Sequence, residues 1–281
     1  MPNPTALTPY PVTITKIVDE TSDVKTFTVE FDDPEIMENF GNKPGQVCML
    51  SIFGEGESTI SITSAPTRGK FLEFTVKRVG RLTEVLHQME VGQKFGVRGP
   101  YGNWFPYETM KGKDLFFVGG GFALAPIRSL IDYALSDQYR SDYGKVEILY
   151  GSRSYDLFER WPSLSNTGIY TTVDRGDDNW KGRVGHVPGY VEEVAPSPEN
   201  KFAIIAGPPI MIKFALPVME KLGFKDEQII TTLEMRMKCC LGKCGRCNIG
   251  SKFVCVDGPV FSRAQLKGMP QEYYKVKCKL K

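Results

Sequence analysis

The chain has 281 residues, more than one small core holds and enough for two domains of about 100–200 residues with an appendage. Hydrophobic residues at 41%, aromatics at 11% and charged residues at 24% sit near the averages of folded globular chains, which excludes disordered, collagenous and low-complexity classes. The 35 Lys+Arg against 33 Asp+Glu, a formal charge of +2, offer no general field for a polyanion, so no dedicated nucleic-acid partner is expected.

The opening MPNPTALTPYPV holds four prolines in eleven residues and no apolar core segment, so it does not read as a signal peptide. The longest uncharged apolar stretch, residues 115–127, spans 13 residues and is interrupted by glycine. A membrane span needs roughly 20, so no membrane insertion is expected. After this leader the first hundred residues read as short strands. Phe27, Val29 and Phe31 alternate in KTFTVEF, and Leu72, Phe74 and Val76 alternate in KFLEFTVKR. QVCMLSIF and KFGVRG suggest two more, and one helical stretch lies near residues 82–89. Several such strands between Gly/Pro turns predict an antiparallel β-barrel or sandwich.

At Lys111-Gly112-Lys113 the pattern changes. DLFFVGGG is followed by a helix-like APIRSLIDYAL, strand-like KVEILYG and a helix near residues 156–161. IYTTVD, HVPGYVEEV, KFAIIAGPP, a helix reaching Lys221 and QIITTLE continue the alternation. Strand–helix alternation predicts a doubly wound, parallel α/β sheet. From Met235 onward neither period persists, and cysteine, glycine and lysine dominate. The expected segments are a β domain at 1–110, an α/β domain at 111–227 and a small irregular cysteine-rich region at 228–281.

Five of the seven cysteines run from Cys239 to Cys255, leaving Cys48 and Cys278 alone. The odd count argues against a disulfide framework and for a reducing, cytoplasmic setting. Cys239, Cys244 and Cys247 have the C-x4-C-x2-C spacing that opens plant-type [2Fe–2S] sites, and Cys255 follows as a fourth thiolate. Arg236, Lys238, Lys243, Arg246 and Lys252 surround them with no acid between. Gly242, Gly245 and Gly250 let backbone N–H groups turn toward sulfur, and both features stabilise an anionic cluster. Zinc on four thiolates is the alternative, though the spacing fits common zinc patterns poorly. Cys240 reads as a spare thiol beside a ligand.

Two glycine-rich elements end predicted strands. In VGGGFALAP, Gly119, Gly120 and Gly121 open a helix, where a pyrophosphate meets backbone N–H groups; the plain alternative is a turn that packs strand on helix. AGPP, with Gly207 and Pro208, ends a second strand before a helix. Arg153, at the end of the strand KVEILYG, either meets a 2′-phosphate or is merely a solvated edge, and Arg175 follows the strand after it. Gly80-Arg81-Leu82-Thr83 is either a phosphate-binding turn or an ordinary strand-to-helix turn, and STISITSAP is either a ligand strand or an ordinary edge strand. Glu234 pairs Lys238 four residues on by spacing alone. With only His87 and His186 present, a His-based triad is not expected.

Together ISITSAP, VKRVGRLTEVL, RGPYGNWFP, GGGFALAPIRSL, TVDRGDDNWKGRVG, AGPPIMIKF, LEMRMKCCLGKCGRC and VCVDGPVFS resemble the ferredoxin–NADP⁺ reductase superfamily from about residue 10 to 266. Within it the chain is similar to the branch with a C-terminal [2Fe–2S] cluster. That branch includes the γ subunit of cytoplasmic hydrogenase or sulfhydrogenase, which looks nearest, the sulfite reductase B subunit and the dihydroorotate dehydrogenase electron-transfer subunit. The resemblance implies FAD along Ser61, Ile62, Thr63 and Ser64, with its pyrophosphate at Val79, Gly80, Arg81 and Thr83. It implies NAD(P)H at Gly119, Gly120, Gly121, Arg153, Gly207 and Pro208, with Glu234 either near the nicotinamide or a surface carboxylate, and a cluster on Cys239, Cys244, Cys247 and Cys255. The family's R-x-Y-S has Ser58 and Ile60 in place of Arg and Tyr here, and Cys240 replaces a glycine.

The function implied is an NAD(P)H-dependent oxidoreductase subunit that passes electrons through FAD and the cluster to other redox subunits, with hydrogenase the first expectation. Sulfite reductase, heterodisulfide reductase-like, bifurcating and dihydroorotate dehydrogenase complexes are the alternatives. A zinc-stabilised nucleotide-binding module is the non-enzymatic one.

Overall fold

The computed structural model describes residues 7–153, 167–178 and 180–270. Its elements in chain order begin with β1 (Tyr10–Thr21), β2 (Val24–Phe31), α1 (Pro34–Phe40), β3 (Val47–Ile52), β4 (Gly56–Ser61), β5 (Leu72–Lys77), α2 (Arg81–Gln88) and β6 (Lys94–Tyr101). There follow β7 (Asp114–Gly120), α3 (Leu124–Leu135), β8 (Val146–Ser152), β9 (Gly168–Val173), β10 (Arg183–Val184), α4 (Val187–Val194), β11 (Lys201–Ala206), α5 (Pro209–Lys221) and β12 (Ile229–Thr232). The last are β13 (Asn248–Ile249), β14 (Lys252–Phe253), α6 (Val254–Asp257), β15 (Val260–Ser262) and α7 (Arg263–Lys267). The helix expected near 156–161 and Cys278 lie outside the described residues.

The chain forms two compact units. One takes in the chain up to Phe105, residues 128–133 of α3 and residues 233–259; the other holds 106–127, 134–232 and the chain from Val260. The cysteine-rich segment is therefore shared between them, with all the described cluster-region cysteines in the first unit.

The first unit is a six-stranded antiparallel sheet in the order β4-β3-β6-β1-β2-β5. Its edges approach where the Thr63 N–H donates to the Glu73 carbonyl at 2.9 Å, so the sheet wraps round a core. Alternation produces that core: Phe27, Val29 and Phe31 of β2 and Leu72, Phe74 and Val76 of β5 all point inward. Each such side chain contributes about 1.5–3 kcal/mol on burial. In the part of this unit up to Phe105, two elements were not expected. β1 pairs with β2 through register shifts between Ile14 and Lys16 and between Asp19 and Thr21, which spoil its two-residue period. α1 is capped by Asp33, whose side chain accepts from the Glu35 N–H, with Pro34 in its first turn and Gly41 closing it at φ +58°.

The second unit is a seven-stranded sheet in the order β10-β9-β8-β7-β11-β12-β15. All neighbours are parallel except β15, which runs antiparallel to β12. β7 to β10 build outward in one direction and β11, β12 and β15 in the other, so the order reverses between β7 and β11. In open α/β sheets that reversal makes a crevice at the carboxyl ends of the strands. β7 is buried along nearly its whole length, as a central strand covered on both faces must be. At the opposite end of the sheet Glu147 is buried between Lys201 at 3.0 Å and Lys145 at 2.8 Å.

Candidate functional site

In the first unit the site grows from one row of side chains. Ile60 of β4 packs on the core, so by the strand's two-residue period Thr59 and Ser61 face outward. Met49 pairs across the sheet with both Thr59 and Arg98, making a row over β4, β3 and β6. The segment 237–240 lies on this row. The Thr59 hydroxyl is 2.9 Å from Met49 Sδ, 3.4 Å from the Met237 carbonyl and 3.7 Å from Cys240 Sγ. Arg98 Nη1 donates to the Cys239 carbonyl at 3.0 Å, and Nη2 to that of Lys238 at 3.3 Å. The far end of the segment is held by Asn103, whose N–H reaches the Gly258 carbonyl at 2.6 Å and whose Nδ2 reaches that of Asp257 at 2.9 Å. Gly102, at φ +79°, is needed there: a β-carbon would stand 2.5 Å from the Gly258 oxygen.

Within the segment Gly242, Gly245, Gly250 and Cys240 all take positive φ, and the tight turns aim N–H groups at sulfur. The Leu241 N–H donates to Cys239 Sγ at 3.4 Å and the Gly242 N–H to Cys255 Sγ at 3.4 Å. The thiols associate two by two, Cys239 with Cys244 and Cys247 with Cys255. Burial raises the Cys239 thiol, yet the N–H groups of Leu241, Lys243 and Cys244 and the Cys244 thiol bring it down to about 6. Cys255 is pushed up to about 12, by burial first and then by Cys247. Cys244 is exposed while Cys247 and Cys255 are buried. Arg236, Lys238, Lys243 and Arg246 are exposed around them.

Among the described residues no three His, Cys, Asp or Glu side chains converge on a single ion. Soft sulfur donors in two pairs, N–H groups aimed at them and a cationic rim fit an iron–sulfur cluster.

The flavin candidates divide by environment. Ile62, Thr63 and Ser64 are buried. Ser64 Oγ accepts from the Glu73 N–H at 3.0 Å, and Thr75 donates to Thr63 Oγ1 at 3.4 Å. Their hydroxyls thus close the sheet, and Ser61 is the one half-buried on the outer face. The turn before α2 is a closed cap: Thr83 Oγ1 accepts from the Val79 N–H at 2.9 Å and the Gly80 N–H at 3.0 Å, and donates to the Gly80 carbonyl at 2.8 Å. Arg81 is exposed and paired with Glu55. Glu234 is exposed in the stretch after β12.

In the second unit the two glycine-rich elements meet. Gly119 pairs with Ala206 across β7 and β11, placing Gly119–Gly121 beside Gly207 and Pro208 at the strand-order reversal. Tyr150 of β8 braces the loop, its hydroxyl donating to the Gly121 carbonyl at 2.8 Å; burial pushes its titration far up. Met211 fills the space against both Gly120 and Gly207. Arg153 and Arg175 are exposed beyond the ends of β8 and β9. Sequence reasoning missed Arg98, Glu57, Asn103, Tyr150 and Met211. RGPYGN holds Arg98 and Asn103, KVEILYG holds Tyr150 and AGPPIMIKF holds Met211, but none of these motifs gave the residue a role.

Comparison with known proteins agrees with this organisation. Residues 11–105 match an oxidoreductase FAD-binding domain, 117–216 an oxidoreductase NAD-binding domain and 234–267 the iron–sulfur cluster binding domain of dihydroorotate dehydrogenase B. The chain is 36% identical to the sulfhydrogenase 1 γ subunit of Pyrococcus furiosus over 96% of each chain. It is 33% identical to a probable dihydroorotate dehydrogenase B electron-transfer subunit of Thermococcus kodakarensis, over 92% of this chain and 98% of that one. In fold it is similar to an NADH-dependent reduced ferredoxin–NADP oxidoreductase, with a TM-score of 0.76 and 22% identity over 98% of this chain and 93% of that one. A ferredoxin NADP⁺ reductase from Neisseria gonorrhoeae gives a TM-score of 0.66 and 19% identity over 79% and 96%. An iron–sulfur domain match over residues 234–267 replaces the zinc alternative. The chain therefore belongs to the family of sulfhydrogenase γ subunits and dihydroorotate dehydrogenase B electron-transfer subunits, ferredoxin–NADP⁺ reductase-like oxidoreductases that combine FAD, NAD(P)H and an iron–sulfur cluster.

Proposed function

We propose that this chain carries electrons between NAD(P)H and the other redox subunits of a hydrogenase, with the cluster, a [2Fe–2S] held by Cys239, Cys244, Cys247 and Cys255, as its outlet. The observation that carries this reading is the contact of Thr59 on β4 with Met237 and Cys240, which sets the cluster segment against the strand proposed for the flavin. When bound, FAD exchanges a hydride with the nicotinamide and single electrons with the cluster.

The residues of the chain bind and orient. Gly119, Gly120, Gly121, Gly207 and Pro208 admit the coenzyme's phosphates to backbone N–H groups, and Arg153 favours a 2′-phosphate. Ser61 and the backbone through Ser64 line the flavin ring, while Val79, Gly80, Arg81 and Thr83 form its phosphate end. Ser61 lies two residues from Thr59 on the same face, about 7 Å along the strand. No side-chain acid or base is required, and Glu234 is the carboxylate assigned to the nicotinamide.

The functional segments proposed are 1–110 for FAD, 111–227 for NAD(P)H and 228–281 for the cluster, in a cytoplasmic complex. Among the described residues no helix is long and apolar enough to cross a membrane. The sulfhydrogenase relatives favour a hydrogenase as partner; the dihydroorotate dehydrogenase relatives support that complex as the second reading. Anaerobic purification tests the assignment. It requires, per extractable FAD, two irons and two acid-labile sulfides, and NAD(P)H-dependent reduction of a viologen dye. Recovery of FMN alone, or of no flavin, overturns it.

A further inference from the structure

Arg98 is the largest of the fully buried side chains, with 2% of its surface exposed. A guanidinium has five N–H donors, and here each has an acceptor. Nε and Nη2 grip the Glu57 carboxylate at 2.7 Å each. Nη1 meets the Tyr101 hydroxyl and the Cys239 carbonyl, both at 3.0 Å, and Nη2 reaches the Lys238 carbonyl at 3.3 Å. Two of the five bonds therefore cross to a segment about 140 residues away in sequence, at the peptide of a proposed cluster ligand.

Such a charge costs several kcal/mol to bury and is retained only where its partners are complete. A sheet that needed only packing at this position would hold an aliphatic side chain. The ion pair is also directional. The guanidinium faces the segment, while Glu57, with 29% of its side chain exposed, stands behind it. The cluster ligand thus meets the positive end of the pair.

Resting on the ligand assignment above, we infer that Arg98 is a positioning residue that docks the cluster segment on the flavin sheet, and that the Arg98–Glu57 pair sets the cluster's reduction potential. RGPYGN acquires a role on this reading: Arg98 fixes the start of the segment and Gly102 and Asn103 its end. Reduction adds an electron to an anionic cluster, so positive charge behind Cys239 favours the reduced state and uncompensated negative charge opposes it.

The test is an EPR-monitored redox titration of the anaerobically purified full chain, with iron content measured on each sample. Arg98→Gln leaves the Glu57 carboxylate without its counter-charge and lowers the cluster potential. Glu57→Gln leaves the guanidinium uncompensated and raises it. Each shift is expected to reach a tenfold change in the one-electron equilibrium, about 59 mV. Arg98→Lys, which keeps the charge, recovers at least half of the Arg98→Gln shift.

A purely structural role would move both potentials the same way or neither, and that result overturns the inference. If Arg98→Gln does not fold, the near-isosteric Glu57→Gln decides alone, and an unmoved or lowered potential overturns it. A wild-type chain purified without iron would overturn the ligand assignment, and this inference with it.

Discussion

A β-carbon on Gly120 would stand 2.3 Å from the sulfur of Met211, so these two residues fit together only because Gly120 has no side chain. Gly207 makes the same demand, at 2.2 Å from the Met211 methyl carbon. One thioether thus fills the floor between the two glycine-rich turns. Gly120→Ala is compatible with its backbone, φ −129°, and acts by pushing Met211 into the crevice. We expect NAD(P)H binding to weaken about tenfold, about 1.4 kcal/mol, and Met211→Ala in the same chain to restore most of it. Gly121→Ala should not be rescued, because Gly121 sits at φ +56°, a left-handed conformation that disfavours a side chain. Fluorescence titration with NADH compares the variants; equal rescue at both positions would refute the distinction.

Coenzyme choice is assigned to Arg153. It is exposed just beyond β8, free of the packing that makes a substitution structurally costly. Arg153→Ala should lower the NADPH/NADH ratio of kcat/KM about tenfold, mainly through KM for NADPH. An unchanged ratio removes Arg153 from the site.

The four cysteines proposed as ligands and their neighbour should behave differently. Cys247 is buried and paired with Cys255, so Cys247→Ala should bleach the iron–sulfur absorption while NAD(P)H still reduces the flavin. Cys240 is held at φ +59°, where glycine rests without strain, and Cys240→Gly should retain the cluster. Iron content and visible spectra decide. A Cys240→Gly protein that keeps its flavin but holds no iron would make that thiol a ligand.

How much of this was legible in the sequence follows from how far apart the cooperating residues lie. The glycine loop, AGPP and the cysteine spacing are local signals and were found. β2 and β5 keep a clean two-residue alternation, whereas β1 pairs through two register shifts, and its strand character was missed. α1 announces itself only by Asp33-Pro34, since a seven-residue helix has too few turns for its period to show. Arg98 opens the motif RGPYGN, which marks the position but not its role: its meaning lies in two carbonyls 140 and 141 residues away. The hydroxyls of STISITSAP looked alike in sequence, yet Thr63 and Ser64 face the closed edge of the sheet and Ser61 does not.

Acid should loosen the second unit through Glu147. Burial raises its carboxyl, but Lys145 and Lys201 outweigh burial and hold it below the usual glutamate range. A depressed folded-state value means the stabilisation is complete above the unfolded value of about 4.3 and is lost as pH falls through the folded one. The melting temperature should therefore drop from pH 5 to pH 3, and less steeply in Glu147→Gln. At pH 7 that variant leaves Lys201 buried without its counter-charge and should be destabilised by about 3 kcal/mol. Identical acid slopes in the two proteins would contradict the assignment.

The central claim is that electrons from NAD(P)H reach the cluster by way of the flavin within this one chain. Anaerobic stopped-flow reduction of the purified protein, with EPR on rapidly frozen samples, follows both centres at once. The account predicts flavin bleaching first and a reduced-cluster signal afterwards at a matching rate. In Cys244→Ala the flavin should bleach as before and the cluster signal should be missing. A cluster that stays oxidised beside a fully reduced flavin, or one that is reduced before the flavin, would contradict it.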